Sequence, residues 1–338
     1  MYPYRAASKD MDGYSVYDKL VSDAGTAWDN DCETHTRRIF AVRQAWVLCA
    51  KRDWYVGGVE GKAKGDGEMN VVVIGGGFVG QLVQLAVPSA RVLDWRKTPP
   101  ANHLDTRIGP QYLWKPIPGV PSESFSVTTL VDGVPATPET ILRYKRKIGK
   151  ETDGGNWGIQ FEHKTVGWTS NLPRPRVEYD RMVRMIDLAG RTLGLAEPWG
   201  TVEYDILVST IPLPALLGLL ITGPAYSEFK FDPIYMAEEL LPDPVEGMTL
   251  DYLSDPADPW YRVTLSGSKR FRESIHPQPG CRKIMPGKIH INSLNESILA
   301  TLELSCCFCF GRFATWRPDE LAHETWGQIE RWKKGLAL

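Results

Sequence analysis

A glycine-rich turn between two predicted strands constrains the fold of this chain more than any other feature. Val71–Ile74 is a run of β-branched residues, typical of a strand buried on both faces. The next residues, Gly75-Gly76-Gly77-Phe78-Val79-Gly80, match the pattern G-x-G-x-x-G. A short helix is predicted over Gln81–Ala90 and a second strand over Arg91–Leu93, which leads into Asp94. This order of elements predicts a Rossmann-like βαβ unit that binds a dinucleotide.

Each residue type in this unit has a chemical reason. Gly75 allows the tight turn, Gly77 lets the backbone approach a pyrophosphate, and Gly80 lets the helix pack closely on the sheet. Free N–H groups at the helix start face the phosphate anion. Asp94 can accept hydrogen bonds from the adenosine ribose and disfavours the 2′-phosphate of NADP. The alternative is an ordinary glycine-rich turn that binds nothing.

Composition indicates a protein without a general attraction to polyanions. The chain has 338 residues and a formal net charge of −2, so neither a nucleic-acid nor a membrane partner is expected. The basic run Arg143–Lys150 is interpreted as a solvated helix face. We expect a small-molecule substrate as the partner.

The cysteines and the apolar runs indicate a cytoplasmic location. Six cysteines in a chain of this length favour a reducing compartment. Ile211–Ala225 is too short for a membrane span and contains three prolines, and no signal peptide is recognised at the N-terminus. Cys306, Cys307 and Cys309 are predicted to lie in a buried strand rather than in a metal site, and no metal is expected.

Residues 1–68 differ in character from the rest and end in the flexible sequence "VGGVEGKAKGDGE". Met69 stands immediately before the first strand of the βαβ unit. We therefore interpret residues 1–68 as an N-terminal extension or small appended module, and Met69 as the authentic start.

Further along the chain, the sequence predicts an alternation of strands and helices. Strands are predicted over Ser124–Val131, Val134–Pro135, Gly154–Trp168, Tyr204–Ser209, Phe229–Ala237, Met248–Leu253, Trp260–Leu265 and Leu302–Phe310. Helices are predicted over Pro138–Lys147 and Tyr179–Leu195, from Pro214 onward, and at the C-terminus with Pro318 in the first turn.

Three stretches together resemble one family: "VVVIGGGFVG…VLDWRK", "YDILVSTIPLPAL" and "CFGRFATWRPDELAHETW". They are similar to the FAD-binding superfamily that contains the amine oxidases, protoporphyrinogen oxidase and UDP-galactopyranose mutase. The resemblance implies an α/β fold, with a Rossmann-like FAD-binding domain and a smaller inserted α+β substrate domain. It implies FAD-binding segments at residues 69–110, 201–225 and 301–338, and substrate regions at residues 111–200 and 226–300.

The resemblance also implies the residues of the site. The cofactor contacts are Gly75, Gly76, Gly77, Phe78, Val79, Gly80, Asp94, Trp95, Arg96, Thr210, Ile211, Pro212, Gly311 and Arg312. The candidate substrate contacts are Tyr112, Trp114, Tyr261 and Arg262, of which Tyr261 and Arg262 are also the catalytic candidates. His323 is expected to be structural. The chain departs from the family where a Gly-Gly pair is usual, since Arg107-Ile108-Gly109-Pro110 stands there.

The function implied is that of an FAD-dependent oxidoreductase, in which a hydride passes from a small molecule to the flavin. One alternative is a non-redox flavoenzyme of the UDP-galactopyranose mutase type, for which Arg262 and Arg312 could bind a diphosphate. The others are an NAD(P)-binding enzyme and a non-catalytic nucleotide-binding protein.

Overall fold

The computed structural model describes residues 69–98, 113–148, 161–170, 172–173, 176–220 and 229–336. The interpretation of residues 1–68 and the predictions for Arg107–Pro110, for Tyr112 and for the first part of the strand at Gly154–Trp168 lie outside these residues.

The described strands and helices are numbered in chain order. The strands are β1 (Val71–Ile74), β2 (Arg91–Leu93), β3 (Ser122–Val131), β4 (Val134–Pro135), β5 (Lys164–Ser170), β6 (Val177–Glu178), β7 (Val183–Asp187), β8 (Thr192–Leu195), β9 (Thr201–Glu203), β10 (Ile206–Ser209), β11 (Phe231–Tyr252), β12 (Arg262–Ser274), β13 (Arg282–Ile289) and β14 (Cys307–Cys309). The helices are α1 (Phe78–Ala86), α2 (Pro138–Lys147), α3 (Leu213–Leu219), α4 (Asn295–Leu304) and α5 (Ala322–Gly335).

A parallel sheet with the order β14-β10-β1-β2-β6 carries the glycine-rich turn. Val73 of β1 lies opposite Val208 of β10 on one side and opposite Val92 of β2 on the other. All four residues of β1 are buried, as its run of β-branched residues predicts, and all four residues of β10 are buried as well. Helices α1 and α5 pack into the same apolar core, where the Trp332 ring contacts Phe310 at 5.3 Å between centroids. The expected mixed α/β fold with a parallel sheet is therefore confirmed.

A second, mixed sheet is built around the long strand β11. It pairs with β12 along most of its length, with β13 near its start and, in parallel, with β3 near its end. The register shifts between Leu240 and Met248, where two prolines lack N–H donors and Gly247 has a φ of +70°. The β11–β12 ribbon bends here, so that the N–H of Tyr261 bonds the carbonyl oxygen of Glu273, 2.9 Å away. The two ends of β12 are thereby brought together.

A third sheet, the antiparallel meander β7-β8-β9, corrects one prediction. The helix expected over Tyr179–Leu195 does not form. The Asp187 side chain accepts hydrogen bonds from the N–H groups of Ala189 and Gly190, at 3.0 and 2.9 Å, and closes a turn in the middle of this segment. The apolar spacing that indicated a helix comes instead from two short strands.

The C-terminal region corrects two more predictions. In the strand expected over Leu302–Phe310, the first three residues form the end of α4 and two turn residues follow, so that only β14 is a strand. Helix α5 begins at Ala322 rather than near Pro318, because the Glu324 carboxylate accepts a hydrogen bond from the N–H of Leu321 at 2.9 Å and caps it there.

Other boundaries were predicted more closely. Helix α2 and strand β4 have the predicted bounds, and the turn before β4 places Asp132 and Gly133 at positive φ. The two strands expected at Phe229–Ala237 and Met248–Leu253 are parts of the single strand β11. In the described residues, no helix is both long and apolar enough to cross a membrane.

Candidate functional site

Four segments of the predicted site meet at the carboxyl edge of the parallel sheet. They follow β1, β2, β10 and β14, which are neighbours in the sheet and run in the same direction. The segments are Gly75–Gly80, Asp94–Arg96, Thr210–Pro212 and Gly311–Arg312. In open α/β sheets this edge is where ligands bind.

The glycine-rich turn leaves space at the start of α1. Gly75 has a φ of +103°, and a Cβ on Gly80 would lie 2.0 Å from the carbonyl oxygen of Gly75. Gly80 is thus needed for the close approach of helix and strand, as expected. A Cβ on Gly77 would meet no atom within 4 Å. Gly77 is also the N-cap of α1 and no side chain caps the helix there, so the helix start is open to an anion.

Asp94 organises the opposite side of this turn. It is buried, with 4% of its surface exposed. Oδ2 accepts the N–H of Gly76 at 2.7 Å and Nη2 of Arg96 at 2.6 Å. Oδ1 accepts the backbone N–H and Nε of Arg96, at 2.9 and 2.8 Å. The carboxylate therefore links the glycine turn to the half-buried Trp95–Arg96 segment.

Thr210 links the end of β10 to the glycine turn. Its hydroxyl lies 2.8 Å from the carbonyl oxygen of Gly75 and 3.1 Å from that of Ile74, and donates to them. Ile211 and Pro212 follow half-buried, and the next N–H, of Leu213, bonds the carbonyl oxygen of Phe313 at 2.9 Å. The middle and last segments of the predicted site are therefore in direct contact.

The last turn lies over the start of α1. Gly311 has a φ of +92°, and a Cβ there would lie 2.8 Å from the Val79 side chain. The Thr315 hydroxyl bonds the Gly311 carbonyl oxygen at 3.1 Å and is shared with the buried Glu320 carboxylate. Trp316 is 1% exposed and donates from Nε1 to the carbonyl oxygen of His290 at 3.1 Å. This residue fastens the turn to the end of β13.

Tyr261 and Arg262 lie at the start of β12, as expected, and share a buried partner that the sequence did not reveal. The Tyr261 hydroxyl donates to Oε2 of Glu273, and Nε of Arg262 donates to Oε1 at 3.0 Å. Glu273 is 1% exposed, whereas the Arg262 side chain is 31% exposed. Lys288 of β13 places Nζ 3.8 Å from the centroid of the Tyr261 ring. The bend of the ribbon assembles this cluster from residues that are far apart in the sequence.

The charges of this cluster affect Arg312 in the last turn of the predicted site. Burial acts to lower the pKa of Arg262, but the negative charge of Glu273 and the neighbouring tyrosines outweigh it and raise that pKa well above its usual value. Arg312 reaches solvent, yet protein on several sides weakens its hydration and lowers its pKa. Asp319 opposes this shift, and the positive charge of Arg262 adds to it. The positive charge of Arg262 therefore acts on Arg312, although burial has the larger effect on the Arg312 pKa.

The remaining candidates have different surroundings. Trp114 is half-buried next to Leu113, whose N–H and carbonyl pair with Trp168 at 2.8 and 2.9 Å. His323 is half-buried in α5, where burial lowers its pKa, and it lines a groove of about 640 Å³ together with Ile291 and Arg331.

The prediction of a buried strand holds for Cys307 and Cys309 but not for Cys306. Cys307 and Cys309 are buried in β14, and Cys306 is half-buried just before that strand. Within the described part of the chain, no group of three or more His, Cys, Asp or Glu side chains is arranged to hold a metal ion.

Solved structures with the same fold include two enzymes. A reduced UDP-galactopyranose mutase aligns with a TM-score of 0.54 and 13% identity, over 80% of this chain and 94% of the mutase chain. The fold resemblance drawn from the sequence is confirmed. A fatty acid isomerase from P. acnes that produces CLA aligns with a TM-score of 0.51 and 10% identity, over 80% and 99% of the two chains. No family model and no curated protein matches the sequence.

Proposed function

We propose that this chain is an FAD-dependent enzyme that acts on a small molecule, with the FAD along the carboxyl edge of the parallel sheet. The observation that carries the proposal is the open space at Gly77, at the uncapped start of α1. Asp94 stands beside the same turn, as a ribose-binding acid does in dinucleotide folds. The fold shared with a UDP-galactopyranose mutase supports the same conclusion.

The residues at this edge suit the parts of FAD in turn. The N–H groups at the start of α1 bind the diphosphate, because they are free of side-chain caps and lie at the positive end of the helix dipole. Asp94 receives the ribose hydroxyls once the Arg96 side chain turns aside. The Thr210–Pro212 and Gly311–Arg312 segments contact the far end of the cofactor.

FAD supplies a ring system that can take up a hydride at N5, and the protein supplies binding and orientation. Arg262 and Arg312 are the proposed substrate-side cations, and their positive charge favours a carboxylate or phosphate on the substrate. Tyr261 is 4% exposed and its hydroxyl donates to Glu273, so it supports Arg262 from the protein interior. Trp114 remains a proposed substrate contact.

Two reactions fit this arrangement. The first is oxidation of the substrate at a C–N or similar bond. The C–H bond of that carbon breaks and its hydride leaves, the C–N bond becomes C=N with loss of a proton from nitrogen, and a second acceptor later takes the electrons from the enzyme. The second is a non-redox rearrangement of a sugar nucleotide. It is supported by the positive charge of Arg262 acting on Arg312, since two guanidinium groups that serve one site suit a diphosphate.

Anaerobic mixing separates the two reactions. The FAD-loaded protein is mixed with a panel of primary and secondary amines, and the absorbance of the oxidised flavin is followed. Bleaching without added reductant supports oxidation. Conversion of UDP-galactopyranose only after reduction with dithionite supports the rearrangement. A loaded protein that is bleached by no amine and converts no sugar nucleotide contradicts both reactions while leaving the cofactor proposal to be judged by flavin content.

A further inference from the structure

Glu273 is a buried carboxylate whose contacts converge on one cationic side chain. Its Oε1 receives both Nε and Nη2 of Arg262, and its Oε2 receives the Tyr261 hydroxyl. Its carbonyl oxygen also accepts the N–H of Tyr261 at 2.9 Å. Buried ion pairs contribute little net stability compared with apolar packing, so stability alone gives no strong reason for a carboxylate here.

The geometry of the pair leaves part of the guanidinium available. Two of the three nitrogens of Arg262 are engaged by Glu273. Tyr252 is a further hydrogen-bond partner of the guanidinium, and the Arg262 side chain is still 31% exposed. The Tyr261 hydroxyl donates to the other carboxylate oxygen, and this second bond restricts rotation of the Glu273 carboxylate. A guanidinium held in this way presents its remaining N–H groups in one fixed direction, which reduces the conformational entropy lost on binding an anion.

We propose that Glu273 is a positioning residue, which holds the Arg262 guanidinium at the orientation in which it binds an anionic group of the substrate. This proposal rests on the proposed function, because it concerns the substrate side of the same site. Glu273 itself contacts no substrate and acts through Arg262.

A double-mutant cycle on full-length, FAD-saturated protein tests the proposal, with inorganic pyrophosphate as the probe and calorimetry as the readout. Glu273→Gln is expected to weaken pyrophosphate binding about tenfold, since it removes the charge-assisted bonds that orient Arg262. In an Arg262→Gln background the same change is expected to have no further effect. Glu238→Gln is the matched control, because Glu238 pairs with Lys269 at 2.6 Å on the exposed part of the same ribbon. It is expected to leave the affinity unchanged.

If Glu273→Gln does not give folded protein, Glu273→Asp takes its place in the cycle. This change keeps the negative charge but shortens the side chain, so that the carboxylate is drawn back from Arg262. Unchanged affinity in the Glu273 variant, an equal loss in the Arg262→Gln background, or no pyrophosphate binding by the wild type overturns the proposal. Flavin content is measured on the same samples. A protein without flavin contradicts the proposed function. A protein that contains FAD but shows no coupling between Glu273 and Arg262 in the double-mutant cycle contradicts only the role of Glu273.

Discussion

The carboxylate of Asp94 accepts a hydrogen bond from the backbone N–H of Gly76 at 2.7 Å. The end of β2 is thereby tied to the turn that leaves β1, and the tie is buried. A Cβ on Gly76 would lie 2.7 Å from the same carboxylate oxygen, so a glycine is required for this approach. Asp94 thus shapes the turn in addition to its proposed contact with the ribose.

Asp94→Asn should weaken FAD binding about tenfold or more, as loss of a charged hydrogen-bond acceptor costs about 1.5–3 kcal/mol. The amide can still accept the Gly76 N–H, but it presents an NH2 group to Arg96 in place of an oxygen. Asp180→Asn is the control, because Asp180 is exposed and has a φ of +58°, which asparagine tolerates. Equal FAD affinities for the two variants, measured by fluorescence titration of the apoprotein, would contradict the role of Asp94.

Gly77→Leu should abolish retention of FAD while the fold persists. A Cβ at this position meets no protein atom within 4 Å, and the leucine side chain beyond it fills the space proposed for the diphosphate. Gly335→Leu is the matched control, since that position is equally open and lies at the end of α5. Flavin absorbance per mole of purified protein is the measurement. FAD retained by the Gly77 variant would place the diphosphate elsewhere.

Gly80→Ala should destabilise the fold by about 2–3 kcal/mol, because the Cβ is forced to within 2.0 Å of a backbone carbonyl oxygen that cannot move aside cheaply. Gly327→Ala in α5 is the comparison, where the nearest atom is Nη1 of Arg331 at 3.5 Å. That change should be neutral or slightly stabilising. Urea unfolding gives the free energy of unfolding of both variants. Equal values would contradict the close approach of α1 to the end of β1 at Gly80.

Thr210→Val should cost about 1 kcal/mol of stability, because it removes the hydroxyl that serves the carbonyl oxygens of Ile74 and Gly75 while keeping the side-chain volume. Thr301→Val provides the control, as its hydroxyl bonds only the Ser297 carbonyl oxygen one turn back within α4. The free energy of unfolding in urea should change by less than about 0.5 kcal/mol for the control. Similar losses of unfolding free energy in both variants would contradict a specific stabilising role for the Thr210 hydroxyl.

The parallel sheet and its turns could be predicted because their signals are local. Val71–Ile74 is a buried strand, and Val92 and Leu93 are the buried residues of the next one; the apolar composition of both indicates this. The glycines between them mark positions where the backbone approaches other atoms closely. Turns such as Asp132-Gly133 are likewise encoded by residues that tolerate positive φ. The meeting of Thr210 with Gly75 follows from parallel strand order once the fold is known.

The errors arose where long-range contacts outweighed local patterns. Met182, Met185 and Ile186 have a helical spacing, but pairing with Leu193–Leu195 and the turn at Asp187 make this segment a hairpin. Glu273 sits in the charged sequence "SKRFRES", which reads as exposed. Its burial beside Tyr261 depends on the bend of a ribbon whose two ends are far apart along the chain, and no local signal encodes that meeting.

The flavin content of the purified full-length chain tests the central claim most directly. The protein should be yellow, with an oxidised-flavin absorption spectrum, and denaturation should release FAD, identified by chromatography, at close to one mole per mole of chain. Colourless protein that takes up no FAD on reconstitution, or that releases NAD or NADP instead, would contradict the account.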